Sequence, residues 1–329
     1  MRKKQFKAES KRLLDLMVNS IYTHKEIFLR EIISNASDAI DKLCYLSLTD
    51  DKVGLNRGDF AITISIDKDA RTLTVSDNGI GMSADELENN LGVIASSGSF
   101  KFRQEQGEEA AGDTDIIGQF GVGFYSAFMV ADYITVVTRK YGETQAWKWE
   151  SSGAEGYTVT EAERDAVGTD IIMHIKPDGE EPGEFSRYLE DWTIKSLVKK
   201  YSDYIRFPIK MLLPHSVKKP GSPDDKPEYD TVYEWETLNS MVPLWQRKKS
   251  EVTKEEYDEF YQQRFGEMAP PQSVISVSAE GAVTYKALLF IPSKVPNLYY
   301  TQDFKPGLQL YSAGVMIMDH CQELLPEYF

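Results

Sequence analysis

The stretch Phe28-Leu-Arg-Glu-Ile-Ile-Ser-Asn-Ala-Ser-Asp-Ala39 repeats polar and apolar residues at the spacing of an α-helix. On such a helix Glu31, Asn35 and Asp38 are spaced i, i+4 and i+7, so they lie within about 60° of one another. An apolar stripe rotated by about 100° from them predicts that the helix packs on a sheet: Ile32, Ala36, Ala39 and Leu43. The three polar residues form either a solvated surface or, because small side chains surround them, a face that a ligand can approach.

The segment that follows alternates apolar and polar residues with a period of two, which indicates β-strands. In the second of these strands Leu73, Val75 and Asp77 share one face. The carboxylate of Asp77 therefore ends a row that should be buried, where an unpaired charge is costly. It needs a hydrogen-bond donor from the protein or from a ligand, unless Asp77 only occupies a turn. Gly79 and Gly81 then allow the main chain to turn sharply and to approach a bound group.

A third motif, Gly118-Gln-Phe-Gly-Val-Gly-Phe124, stands at the start of the apolar run 124–130. Glycines ahead of a helix free main-chain N–H groups to hold an anion, and the helix dipole adds to this effect. The spacing is that of neither a Rossmann fingerprint nor a Walker phosphate loop. A fourth, weaker element is Gly168-Thr169, which opens a predicted strand.

The pattern along the chain indicates an α+β fold, a two-layer α/β sandwich with helices before and between antiparallel strands. Further strands are predicted at 133–138, 145–150, 157–160 and 170–175. The polar, glycine-rich stretch 92–123 is long for a connection and is typical of a lid over a ligand. We expect a first domain at 1–213, a charged linker loop at 214–230, and the first part of a second, α/β domain at 231–329.

The composition excludes several classes of protein. With 37 Lys and Arg against 52 Asp and Glu, the chain carries a net charge of −15 and repels the phosphates of nucleic acids. Two cysteines are too few for a disulfide scaffold, and no run of about 18 apolar residues predicts a membrane span. The basic N-terminus is not followed by an apolar run, as a secretory signal would be. We therefore expect a cytoplasmic protein that binds neither nucleic acid nor membranes.

Taken in order, the four motifs resemble the ATP-binding superfamily shared by gyrases, heat-shock chaperones, histidine kinases and MutL-type repair proteins. Residues 28–39, 76–82 and 117–128 are most similar to the ninety-kilodalton heat-shock chaperones, in particular to the bacterial cytosolic members. The similarity continues into the second part of the chain and covers nearly all of it. The segments that resemble that family's middle domain are 243–245, 255–261, 288–292 and 317–329.

The resemblance implies that the chain binds ATP or ADP with Mg²⁺, and it assigns roles to individual residues. Asp77 would accept the adenine amino group, Asn35 would offer its side-chain oxygen to Mg²⁺, and Glu31 would position or deprotonate the attacking water. The other implied nucleotide-binding residues support the base, line the pocket or cradle the phosphates: Asp38, Thr169, Gly81, Met82, Asn90, Gly118, Gly121, Val122, Gly123 and Phe124.

The function implied is that of an ATP-dependent molecular chaperone, which assists the folding of client proteins and hydrolyses ATP slowly with closure of the lid. Trp245 would then either contact clients or pack in a domain core. One alternative is a DNA topoisomerase or MutL-like ATPase on the same fold, which the acidic charge disfavours. A second alternative is a nucleotide-switched binding module in which hydrolysis is incidental.

Two departures from the family pattern bear on activity. Ser96 stands where members often carry a lysine that contacts phosphate, and the family's arginine for the γ-phosphate comes from a loop beyond residue 329. The family's dimerisation domain lies further on. We therefore expect a homodimer for the full-length protein, whereas the 329-residue chain should be monomeric and nearly inactive as an ATPase.

Overall fold

The computed structural model describes residues 24–93, 117, 122–153, 156–180, 183–219, 228–281, 283–295, 299–302 and 304–325. By its internal contacts the chain divides into two units, Met1–Asn239 and Ser240–Phe329. This division falls later than the boundaries expected from the sequence, which ended the first domain at 213 and began the second at 231.

The first unit is built on an eight-stranded sheet. Its strands are β1 (Ile62–Asp67), β2 (Thr72–Asp77), β3 (Ala131–Arg139), β4 (Ala146–Ser151), β5 (Tyr157–Ala162), β6 (Gly168–Ile175), β7 (Ile209–Lys218) and β8 (Tyr229–Thr237). Their spatial order is β5-β4-β3-β6-β2-β1-β7-β8. Neighbours are antiparallel except β1 and β7, which are parallel. The predicted strands between 62 and 175 are confirmed to within a few residues.

Among its described residues the first unit has the α-helices α1 (Ile27–Leu46), α2 (Ala84–Leu91) and α3 (Asp191–Tyr201), and the longest of its 3-10 helices is Gly123–Met129. Helix α1 packs against β2, α3 and the 3-10 helix, and its apolar stripe is buried at Ile32, Ala36 and Leu43. The expected α+β sandwich is confirmed. Nearly all of the expected lid at 92–123 lies outside the described residues.

Strands β7 and β8 account for the later division of the chain. The prolines and charges of 214–230 predicted a loop, but β7 continues to Lys218 and β8 begins at Tyr229, so that the two strands pair antiparallel along their length. Pro214 is tolerated because it lies beyond the part of β7 that pairs with β1, which ends at Met211. The expected linker is therefore partly strand, and residues 220–227 lie outside the described ranges.

The second unit contains α4 (Lys254–Phe265) and two hairpins, β9 (Ser273–Ala279) with β10 (Tyr285–Ile291) and β11 (Leu308–Ser312) with β12 (Val315–Cys321). Trp245 packs on the rings of Phe260 and Tyr311, at centroid distances of 6.4 and 5.0 Å. This packing supports the domain-core interpretation of Trp245. Among the described residues of both units, the helices are too short or too polar to cross a bilayer.

Candidate functional site

The polar face of α1 carries Glu31, Asn35 and Asp38, as the spacing predicted. Glu31 and Asn35 are half-buried, whereas Asp38 is only 1% exposed. Glu31 Oε1 accepts hydrogen bonds from Arg30 Nε at 2.9 Å and Nη2 at 2.5 Å. Asp38 Oδ1 accepts one from the main-chain N–H of Ile117 at 2.7 Å. The oxygen atoms on this face are therefore partly shielded from solvent, so the face is not a freely solvated surface.

Asp77 closes the buried row of β2, as predicted, and is 6% exposed. Its Oδ1 accepts a hydrogen bond from the main-chain N–H of Gly79 at 2.8 Å. Burial raises the pKa of Asp77 to about 7, because the charged form loses its hydration; the Gly79 and Thr169 N–H groups and the Arg164 guanidinium oppose this effect. The site thus holds a carboxylate that is costly to ionise without a further donor.

The loop after β2 lies directly against α1. A Cβ added to Gly79 would be 2.4 Å from the carbonyl carbon of Ala39, and Ile80 N donates to Ala39 O at 3.0 Å. Gly81 has φ +66°, and an added Cβ would be 2.0 Å from Arg139 O. Glycine is therefore required at both positions, so that Asp77 is brought close to the polar face of α1.

A buried hydroxyl pair connects this loop to the centre of the sheet. Thr138 Oγ1 accepts from Met82 N at 3.0 Å, donates to Gly168 O at 3.1 Å, and lies 3.0 Å from Thr169 Oγ1. Since its single proton is directed to Gly168 O, Thr169 is the donor of the pair. Thr169 is also the register partner of Asp77. The two threonines thus join three of the elements around Asp77.

The remaining predicted residues differ in their surroundings. Gly123 lies against α1, since an added Cβ would be 2.4 Å from Glu31 Oε2. Asn90 Nδ2 lies 4.0 Å from Met82 Sδ at the edge of the loop. The Phe124 ring packs into the core on Trp149, at a centroid distance of 5.5 Å, so that only its main chain is available to a ligand. Val122 is half-buried, and Gly118 and Gly121 lie outside the described residues.

Three further residues around Asp77 were missed by sequence reasoning. Lys42 lies one helical turn after Asp38; burial lowers its pKa, against the opposing charges of Asp38, Glu86 and Asp77. The other two are Thr138 and Arg164, whose Nη2 donates to the main-chain carbonyl of Asp77 at 3.3 Å. Helical spacing could have identified Lys42, but no local pattern marks the other two.

Comparison with known families identifies the class of the first unit. Residues 22–169 match the family described as "Histidine kinase-, DNA gyrase B-, and HSP90-like ATPase". An eight-stranded sheet layered with helices, and an acidic strand end facing a polar helix, agree with that class. The first unit is an ATPase domain of this type.

Residues 218–329 match the family described as "Hsp90 protein". The whole chain is 54% identical to a chaperone protein HtpG of Alkaliphilus metalliredigens, 53% to that of Clostridium botulinum strain Langeland and 52% to that of Bacillus subtilis strain 168. The chain belongs to the Hsp90 family. Each alignment covers all of this chain and 52% of the relative, so the chain spans about half the length of the curated relatives it matches.

Proposed function

We propose that this chain is the ATP-binding portion of a cytoplasmic molecular chaperone, in which slow ATP hydrolysis and closure of the lid at 92–123 act on client proteins. The observation that carries the proposal is Asp77, a carboxylate buried at the end of β2 beside Thr169, with a pKa raised to about 7. The adenine amino group would supply the further donor that this carboxylate needs. A guanine would present an acceptor at the same position and be rejected.

The polar face of α1 would serve the phosphate end of the nucleotide. Mg²⁺ prefers oxygen ligands and is commonly held by one or two protein groups together with substrate phosphates. The half-buried amide of Asn35, on the same face as Glu31, suits such a site, and Mg²⁺ would neutralise phosphate charge there. Within the described ranges no group of three or more His, Cys, Asp and Glu residues could hold a metal, so the nucleotide would supply most of the ligands.

Glu31 would act on the attacking water. Its carboxylate would accept a proton as the water oxygen bonds to the γ-phosphorus and the bond to the ADP oxygen breaks. Gly123 lies against Glu31 Oε2, which would bring the main-chain N–H groups of 122–124 towards the same phosphate. Arg30 Nε donates to Glu31 Oε1 at 2.9 Å, so this contact would have to loosen for Glu31 to act as a base.

Two variants separate recognition from chemistry. Asp77→Asn should abolish ADP binding in a calorimetric titration, because a neutral amide does not replace a carboxylate acceptor there. Glu31→Ala should keep ADP affinity within about threefold while turnover falls by roughly 10²–10⁴. Each variant serves as the control for the other. Wild-type ADP affinity in Asp77→Asn, or unchanged turnover in Glu31→Ala, would contradict the corresponding role.

The 329-residue polypeptide spans only about half the length of its relatives, and we expect this to limit its ATPase activity. The resemblance places the γ-phosphate arginine and the dimerisation domain in the other half, and such an arginine contributes on the order of 10³-fold to turnover. We expect a monomer in sedimentation that binds ATP, with turnover per chain at least about tenfold below that of the Bacillus subtilis relative. Equal turnover would mean that the residues in this half suffice for catalysis.

A further inference from the structure

Hydrogen bonds from Arg164 connect the loop that leads into β6 with the end of β2. Arg164 Nε and Nη2 donate to Asp170 Oδ2 and Oδ1, both at 3.0 Å, which is the bidentate geometry of a strong arginine–carboxylate pair. Nη2 also reaches the main-chain carbonyl of Asp77 at 3.3 Å, and Nη1 donates to Ala166 O. The Arg164 guanidinium thus links the loop before β6 to Asp77, the residue that would bind the adenine amino group.

The same carbonyl is approached from a second side. Gly168 has φ +124°, and an added Cβ would lie 2.1 Å from Asp77 O. The loop main chain therefore lies directly on the end of β2, where only glycine fits. Asp170 is the register partner of Ser76, and Thr169 that of Asp77. Because side chains alternate between the faces of a sheet, the Arg164–Asp170 pair lies on the face opposite to the Asp77 carboxylate.

The Arg164 side chain is 12% exposed and that of Asp170 is 28% exposed, so solvent screens the pair only partly. The charged groups that act on Asp77 come from two directions. Arg164 opposes the effect of burial, and Asp170 adds to it. On α1, Lys42 interacts with Asp77, Asp38 and Glu86.

We propose that Arg164 is a positioning residue for adenine-nucleotide binding: it fixes the main chain of Asp77 from the loop before β6 and supplies a positive charge that favours the ionised carboxylate. This inference rests on the proposed function, in which the ionised Asp77 receives the amino group of adenine. Arg164 itself does not touch the nucleotide. Its removal should therefore change the pH at which ADP binding is lost, in addition to any loss of stability.

The test is a calorimetric titration of the 329-residue chain with ADP from pH 5.5 to pH 8.5. Wild-type affinity should fall as pH decreases, because protonation removes the acceptor. In Arg164→Met the midpoint should move upwards by about 0.5–1 pH unit, so that affinity at pH 7 falls about twofold to fivefold. Arg164→Lys, which keeps the charge, should return the midpoint towards the wild-type value. The ADP phosphate also titrates near pH 6, but it is the same in every titration.

Asp170→Asn provides a test in the opposite direction. It removes the carboxylate that opposes ionisation of Asp77 and leaves Arg164 in place, so the midpoint should move downwards. If Arg164→Met does not fold, the midpoint measured for Asp170→Asn still tests the role of Arg164. The matched control is Arg71→Met at the other end of β6, where Arg71 donates to Ile175 O at 3.3 Å and to Lys176 O at 2.6 Å. It should lower the unfolding temperature and leave the midpoint unchanged.

The outcomes distinguish the inference from the function on which it rests. A wild-type chain that does not bind ADP at pH 8 would overturn the proposed function. Wild-type binding with the same midpoint in Arg164→Met and Asp170→Asn would overturn the role of Arg164 and leave that function standing. An equal shift in Arg71→Met would likewise overturn the role of Arg164, since the shift would then reflect a general loss of packing.

Discussion

At the scale of the single residue, Asp77 is held in an environment that penalises its charge. Its pKa is about 7 in the folded chain, against 3.8 for an ordinary aspartate. Below about pH 4 both the folded and the unfolded chain carry the proton, and there is no penalty. As pH rises from 4 to 7 the unfolded chain ionises first, so the free energy of unfolding decreases. Above pH 7 the loss is complete. The site is thus maintained at a cost in stability.

Asp77→Asn should therefore stabilise the nucleotide-free protein at high pH. The amide does not ionise and its Oδ1 can still accept from Gly79 N. The gain in unfolding free energy over wild type should increase by up to about 3 kcal/mol between pH 5 and pH 8, as measured by urea unfolding. The control is Asp69→Asn in the exposed turn between β1 and β2, which removes a surface carboxylate and leaves the buried row of β2 unchanged. A pH-independent effect of Asp77→Asn would contradict the raised pKa.

At the scale of the element, Thr138 fastens the loop after β2 to β3 and β6. Thr138→Val keeps the shape of the side chain but leaves the Met82 N–H and the Thr169 hydroxyl without this partner in a buried place. We expect a loss of about 1–3 kcal/mol in unfolding free energy and weaker ADP binding, because Met82 lies in the loop that follows Asp77 and Thr169 is the register partner of Asp77. Thr135→Val on the same strand, where the side chain is half-buried, should change neither. Equal effects of the two variants would exclude a specific role for Thr138.

The elements around the site also show which of its residues the sequence predicts and which it does not. Period-two alternation identified β2 and placed Asp77 on its buried face, and helical spacing placed Glu31, Asn35 and Asp38 together on α1, since both are local properties. Thr138 was missed because it reaches Met82 across 56 residues of chain, through a register that no spacing encodes. Arg164 was missed for the same reason. The role of each site residue stays a prediction, which measurements of ADP binding and ATP turnover test.

In the chain as a whole, pairing between distant strands likewise explains why the division by internal contacts at Asn239 differs from the boundary expected from the sequence. The prolines and charges of 214–230 predicted a charged linker loop, but they did not reveal that β8 returns to pair with β7. The end of the first unit is then held by Asn239. Its Oδ1 accepts from Ile209 N at 2.9 Å, and its Nδ2 donates to Ile205 O at 2.8 Å and to Phe207 O at 3.0 Å.

The position of the boundary can be tested by truncation. A polypeptide of residues 1–239 should bind ADP with the affinity of the 329-residue chain and unfold at a similar temperature. One of residues 1–213 lacks β8, half of β7 and the buried residues Leu238 and Asn239, which leaves Ile209 N, Ile205 O and Phe207 O without their partner. It should unfold at a clearly lower temperature in calorimetry and expose the free edge of β7 to aggregation. Asn239→Ala in the longer polypeptide should reproduce part of this loss, about 1–3 kcal/mol. Equal stability of the two truncations would move the end of the first unit back to residue 213.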